Sequence, residues 1–118
     1  MPGVLVVDDD AAFRGLMRRL LAAEGLAVAG EADGVAAAIA AARELHVDGA
    51  LVDIRLGDGD GIALAEELAA LPWHPRVVLT SARPDGASAD DVRRSGAGGF
   101  FAKDQLPNAP LKLLLGKA

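Results

Sequence analysis

Val4-Leu5-Val6-Val7-Asp8-Asp9-Asp10 passes without a break from four aliphatic residues to three aspartates. A uniformly aliphatic run of this length suits a strand covered on both faces, as in a parallel sheet. The period then changes. Phe13, Leu16, Met17, Leu20 and Leu21 recur at i, i+3, i+4, i+7 and i+8, the spacing of one helix face, and Gly25 stands where that helix would end. Asp10 precedes the helix, where a side-chain oxygen accepts an amide hydrogen from the first turn, so it is expected to be the N-cap.

The same unit of strand and helix repeats along the chain. Leu26 to Ala32 reads as strand two and the Ala-rich stretch Val35 to Leu45 as helix two. Ala50 to Val52 is strand three, ending at Asp53. Gly57-Asp58-Gly59-Asp60-Gly61 is expected to be loop, because glycines so dense cost too much backbone entropy for a helix. Helix three is predicted from about Ile62 to Leu71, closed by Pro72 and Pro75. Arg76 to Leu79 is strand four, ending at Thr80. A mobile polar loop, Ser81 to Ser88, precedes a short helix near Ala89 to Ser95. Gly98 to Ala102 is strand five, ending at Lys103, and Leu111 to Leu115 belongs to a last helix entered through Pro110. Alternating strands and helices predict an α/β fold: a doubly wound five-stranded parallel sheet, order 2-1-3-4-5, helices on both faces. The whole chain, residues 1–118, is expected to be one domain.

Composition narrows the chemistry. The chain has 118 residues, 52% hydrophobic, and no cysteine, which excludes disulfides, thiolate metal sites and thiol nucleophiles. Twelve Lys+Arg against seventeen Asp+Glu leave a formal charge of -5, which repels phosphate backbones and anionic lipid, so no direct nucleic-acid or membrane partner is expected. No apolar run reaches a membrane span, and no basic flank of a signal peptide opens the chain, so a cytoplasmic location is expected.

In an open parallel sheet, ligands bind where the strands end at their carboxyl edge. Here that edge receives Asp8 and Asp9, Asp53, Thr80 and Lys103. Taken singly, each is an ordinary surface residue; together, at equivalent positions on four strands, they form a pattern. Val-Val-Asp8-Asp9, Val-Asp53, Leu-Thr80-Ser81 and Ala-Lys103, in this order and at these separations, resemble the receiver domain of bacterial two-component response regulators, over essentially the whole chain.

The resemblance implies a flavodoxin-like (βα)5 receiver fold and a set of roles. Asp53 would accept a phosphoryl group from a sensor histidine kinase. Asp8, Asp9 and Asp53, with the backbone carbonyl of Arg55, would hold Mg²⁺. Thr80 would follow the phosphoryl group and Lys103 would be its cationic partner. Phe100 matches the position of a switch aromatic, although strand alternation leaves open whether Phe100 or Phe101 points inward. Phosphorylation would then alter the surface of helix four, strand five and helix five, where an output partner or a second copy of the chain would dock. The domain is expected to be a signalling module and not a turnover enzyme, with Arg55 and Ala82 flanking the path of attacking water. Two positions depart from the family pattern: Gly57 stands where proline is usual, and Asp104 follows Lys103 where proline is usual. Lys-Asp recurs in receivers joined to helix-turn-helix domains. The chain ends at Ala118 with no room for such a domain, so it is expected either to work alone or to be a piece of something longer, in which that domain lies outside it.

The physical chemistry runs parallel to the resemblance. A carboxylate can take a phosphoryl group when the transferring oxygens are held in line and their charge is neutralised, and Mg²⁺ favours such oxygen donors. Crowded acids repel one another without metal, so Asp9→Asn is expected to raise the metal-free melting temperature.

Other readings are weaker. Asp8-Asp9-Asp10 also resembles the first motif of haloacid-dehalogenase-type phosphatases, with Asp8 as nucleophile, but that leaves Asp53 unexplained. Asp58, Asp60, Gly61 and Glu67 fit part of an EF-hand spacing, with Leu56 where a carboxylate is required. His46 and His74 are read as isolated surface residues, and Trp73 has no site role.

Overall fold

The computed structural model describes residues 2–116; Met1, Lys117 and Ala118, which the sequence reading includes in the domain, lie outside the described residues. The elements run β1 (Gly3–Val7), α1 (Ala11–Ala23), β2 (Ala27–Ala32), α2 (Val35–Leu45), β3 (Gly49–Asp53), β4 (Arg55–Leu56), β5 (Gly59–Asp60), α3 (Gly61–Ala69), β6 (Arg76–Ser81), α4 (Ala89–Ser95), β7 (Gly99–Ala102), a 3-10 helix (Lys103–Asn108) and α5 (Leu111–Leu115). Five strands make one parallel sheet in the order β2-β1-β3-β6-β7, which is the expected 2-1-3-4-5 when the small β4-β5 hairpin is left out of the numbering.

The aliphatic runs fill the middle of this sheet. Val4 to Val7 of β1 and Ala50 to Val52 of β3 are at most 1% exposed. Both sheet faces are therefore dry, and each carries its own core. On one side Leu5, Val52 and Leu79 pack with Ala38 and Ala42 of α2 and Leu64 and Leu68 of α3. On the other, Val4, Val6, Leu51 and Val78 meet Phe13, Met17 and Leu21 of α1, then Leu106, Leu111 and Leu115. Leu16, placed on the buried face of α1 by its spacing, lies at the margin of that face and is 52% exposed.

Caps explain the helix boundaries. The Asp10 carboxylate accepts from the amides of Ala12 (3.0 Å) and Phe13 (3.4 Å), as its position predicts. Ser88 and Asp91 form a reciprocal capping box at α4. The N-cap position of α2 is Gly34, which has no side chain to cap it. Asp58 supplies the missing acceptor from a distant loop, taking the amides of Val35 at 2.7 Å and Ala36 at 3.2 Å. Those two bonds, Val35 first, hold its carboxyl below the usual aspartate range. Asp60 caps α3 through the amide of Ile62 at 2.9 Å. Two of the three carboxylates of the partial EF-hand spacing, Asp58 and Asp60, thus serve as helix caps, and Glu67 lies within α3.

Several boundaries differ from the sequence reading. The glycine-rich loop is not irregular: Arg55-Leu56 pairs antiparallel with Gly59-Asp60. α3 includes Gly61 and ends at Ala69, two residues before the predicted Leu71. Residues Lys103–Asn108 form a 3-10 helix that hydrophobic period could not announce, because Pro107 within it cannot donate a backbone hydrogen bond and suits only tight short turns. His46 is exposed but not isolated. Its ring stacks on Trp73 with centroids 3.9 Å apart and planes 7° from parallel.

Among the described glycines, Gly61 is the one where a side chain would meet the backbone most closely. Its amide donates to the Ile54 carbonyl at 2.7 Å, and a Cβ there would lie 2.0 Å from the carbonyl oxygen of Asp53. Gly57 is the contrast, with nothing within 4 Å of a Cβ. Gly61→Ala is expected to cost about 3 kcal/mol and lower Tm by roughly 10 °C, whereas Gly57→Ala shifts Tm by less than about 2 °C; thermal melts followed by circular dichroism compare them.

Candidate functional site

All five strands of the main sheet are parallel, so their carboxyl ends share one edge. Asp53 lies opposite Thr80 in the register of β3 and β6, and Thr80 lies opposite Phe101 in that of β6 and β7. One side-chain oxygen from each of Asp8, Asp9 and Asp53 falls within a group no wider than 4.8 Å. Asp8 is fully buried, Asp53 is 7% exposed, and Asp9 is open to solvent.

Lys103, the first residue after β7, reaches back into this group. Its ammonium lies 2.8 Å from Asp8 Oδ2 and 3.3 Å from Asp53 Oδ2, and 4.1 Å from the centre of the Phe13 ring. Burial pulls the lysine pKa down, yet the hydrogen bond to Asp8 and the charges of Asp53 and Asp8 outweigh it, and the net shift is upward. Asp8 moves up as well. Burial is the main cause and the Asp53 charge adds to it, against the lowering effects of Lys103 and of the Asp10 amide. Asp9 joins this group from the solvent side, where water screens its charge more than theirs.

The remaining carboxylate oxygens are held by backbone. Asp8 Oδ1 accepts the Asp10 amide at 2.8 Å, and Asp53 Oδ1 accepts the Arg55 amide at 3.1 Å. The Arg55 side chain is exposed at the start of the β4-β5 hairpin. Thr80 is fully buried, and its hydroxyl oxygen has no hydrogen-bond partner. A buried hydroxyl left in this state costs about 1–3 kcal/mol, so an orphan of this kind calls for a physical explanation. Ser81 is different: its hydroxyl oxygen accepts the Arg83 amide at 3.1 Å and is tied into its own turn.

Strand alternation sends the two β7 phenylalanines to opposite faces. Phe100 packs against the core under α2 and α3, and Phe101 against the core under α1 and α5; both are half-buried.

Two residues near the cluster had no role in the sequence reading beyond the helix period. Phe13 is the ring beneath the lysine ammonium. Arg14 donates from Nη1 to the main-chain carbonyl of Asp8 at 2.6 Å and from Nε to Glu31 at 3.0 Å. The available signal for Arg14 was its place four residues after the N-cap, since helical side chains lean back toward the preceding turn.

Chemically, three carboxylates with oxygen donors only, two of them buried, suit a hard divalent cation such as Mg²⁺ and not a soft metal. The cluster also has a cation in fixed contact with two of its acids and a buried hydroxyl on the neighbouring strand.

Comparison with known proteins agrees with this arrangement. The family model for the response regulator receiver domain matches residues 4–114. The chain is 40% identical over 106 residues to the DNA-binding transcriptional activator DevR/DosR of Mycobacterium tuberculosis, covering 88% of this chain and 48% of that protein. It is 29% identical to the chemotaxis protein CheY of Bacillus subtilis, covering 85% of this chain and 83% of that one. Among solved structures, the signal receiver domain of NarL from Mycobacterium tuberculosis superposes with a TM-score of 0.79 at 32% identity, covering 98% of each chain. The chain spans about half the length, 48–56%, of the first curated relatives it matches. Nothing in these relatives favours the dehalogenase-type reading, and Asp10, the last acid of the motif it rests on, is a helix cap. The chain belongs to the receiver-domain family of two-component response regulators.

Proposed function

We propose that Asp53 of this chain accepts a phosphoryl group from the phosphohistidine of a sensor kinase, and that the modified domain then presents an altered surface to an output partner. The observation that carries this reading is the meeting of Asp53 with Asp8, Asp9 and Lys103 at one sheet edge, the carboxylate oxygens within 4.8 Å and the ammonium 3.3 Å from Asp53. Transfer breaks the phosphorus–nitrogen bond as an Asp53 oxygen forms the new phosphorus–oxygen bond, and the imidazole leaves with the electron pair. Lys103 is held at the acceptor by a second carboxylate and stabilises the charge on the transferring oxygens without having to reorganise. Asp8, Asp9, Asp53 and the Arg55 carbonyl would hold Mg²⁺, which when bound neutralises phosphoryl charge. Exposed Arg55 and Ala82 would border the approach of water to the phosphorylated carboxylate and so set its lifetime.

The orphan hydroxyl of Thr80 supports its role in the switch. A donor buried without an acceptor gains a charge-assisted hydrogen bond once a phosphoryl oxygen arrives beside it, so phosphorylation favours a shifted Thr80. Phe100, half-buried beside the core, would fill the space left behind. The face of α4, β7 and α5 would carry the change to an output domain, a separate protein or a second copy of the chain. The likeness to DNA-binding regulators favours a helix-turn-helix output domain. A soluble cytoplasmic setting fits the partner kinase, and among the described residues no helix is long and apolar enough to cross a membrane.

Intact mass after treatment with acetyl phosphate and Mg²⁺ tests the acceptor: one added phosphoryl on the wild type and none on Asp53→Asn is expected, and labelling of both would overturn it. Thr80→Val replaces the orphan hydroxyl by a methyl of similar shape and is expected to raise the unphosphorylated Tm by about 3 °C, near 1 kcal/mol. Because Asp9 is exposed, Asp9→Asn is expected to shift the metal-free Tm by less than about 2 °C, in place of the rise foreseen from sequence, while removing most of the Mg²⁺-dependent increase; paired melts with and without Mg²⁺ measure both.

A further inference from the structure

We propose that Arg14 is a positioning residue for the acidic cluster, holding the Asp8-Asp9 peptide so that Asp9 presents its carboxylate to the bound cation; this rests on the Mg²⁺ reading given above. The turn between β1 and α1 is pinned at three atoms of Asp8. Its amide donates to the Ala32 carbonyl at 3.0 Å, its Oδ1 accepts the Asp10 amide at 2.8 Å, and its carbonyl accepts Arg14 Nη1 at 2.6 Å. The carbonyl bond is the only one of the three that depends on a side chain from α1. Arg14 is in turn fixed by Glu31 of β2 through Nε at 3.0 Å, with 18% of its side chain exposed. Arg18 also pairs with Glu31.

The consequence falls on Asp9. Asp8 is buried and Lys103 holds its carboxylate directly, but Asp9 is exposed, so the direction of its side chain is set by its backbone. The plane of the Asp8-Asp9 peptide is what Arg14 grips. Partners of metal ligands that orient them in this way typically change metal affinity by about 10–100-fold when removed. The charge argument has the opposite sign. A guanidinium near the cluster repels a divalent cation, so if Arg14 acted only through its charge, removing it would tighten Mg²⁺ binding. Glu31, shared with Arg18, offsets only part of that charge, so orientation and charge oppose one another and the sign of the change in Mg²⁺ affinity separates them.

The test is calorimetric titration of Mg²⁺ alone into the unphosphorylated wild type, Arg14→Ala, Arg14→Lys and Asp9→Asn, with circular dichroism of each. Arg14→Ala is expected to weaken Mg²⁺ binding about tenfold with its spectrum unchanged, and Arg14→Lys, which keeps a donor on a long stem, to recover most of the loss. Phosphorylation by acetyl phosphate would then need about tenfold more Mg²⁺ to reach half its maximum in Arg14→Ala, with the rate at saturating Mg²⁺ restored. Unchanged or tighter Mg²⁺ binding in Arg14→Ala overturns the proposal while leaving the receiver mechanism intact. A wild type that binds no Mg²⁺ overturns both. Should Arg14→Ala fail to fold, Arg14→Met, which keeps the stem and removes the donor, decides in its place: about tenfold weaker binding supports the positioning role, and a wild-type or tighter constant overturns it.

Discussion

The ammonium of Lys103 lies between two carboxylates, 2.8 Å from Asp8 and 3.3 Å from Asp53, and the arrangement of this sheet edge depends on that contact. Asp8 ends β1, Asp53 ends β3, and Lys103 follows β7, so one cation ties together the centre and the far margin of the sheet. Burial alone would drive Asp8 toward its neutral form and Lys103 toward loss of its proton; the contact opposes both, outweighing burial at Lys103 while Asp8 still moves upward. Most of the polar groups around them can be understood as support for that pair. The Asp10 and Arg55 amides take the second oxygens of the two acids, and the Phe13 ring lies under the lysine ammonium. Thr80 is the exception, buried next to the pair and bonded to neither.

Such a site requires strand ends to arrive in register, and backbone sterics contribute as much to this as charge. Gly61 lets the start of α3 lie directly against the carbonyl of Asp53, while Asp58 anchors the intervening hairpin to the first turn of α2. The acceptor strand is therefore followed by a segment fixed at both ends. A glycine stands at position 57 where a more rigid residue is usual in the family, so the restraint on this loop comes from the carboxylate one residue later.

The fold was legible in the sequence because two periods dominate it. Val4 to Val7 could only be an internal strand, and the spacing of Phe13, Met17 and Leu21 could only be a helix face. The candidate site was legible for a related reason: the strand ends were well defined, so the residues after them had to meet. What escaped the sequence reading depends on contacts between segments distant in the chain. Asp58 looked like loop acid and caps a helix more than twenty residues earlier; Arg14 was given no part and bonds the backbone of Asp8. The 3-10 helix after Lys103 carries no hydrophobic period at all. Asp9 was expected to share in the crowding of the acids; it does join their cluster, but from the solvent side, a placement that only the structure shows.

The stacked pair of His46 and Trp73 has a practical consequence. Trp73 is the sole tryptophan, and it precedes β6, whose opposite end carries Thr80. A strand of this length separates the indole from the acidic edge by roughly 15–20 Å. Its fluorescence emission therefore reports on the loop joining α3 to β6 and on the imidazole resting against it. It gives a spectroscopic record of unfolding that is blind to events at the opposite pole of the sheet.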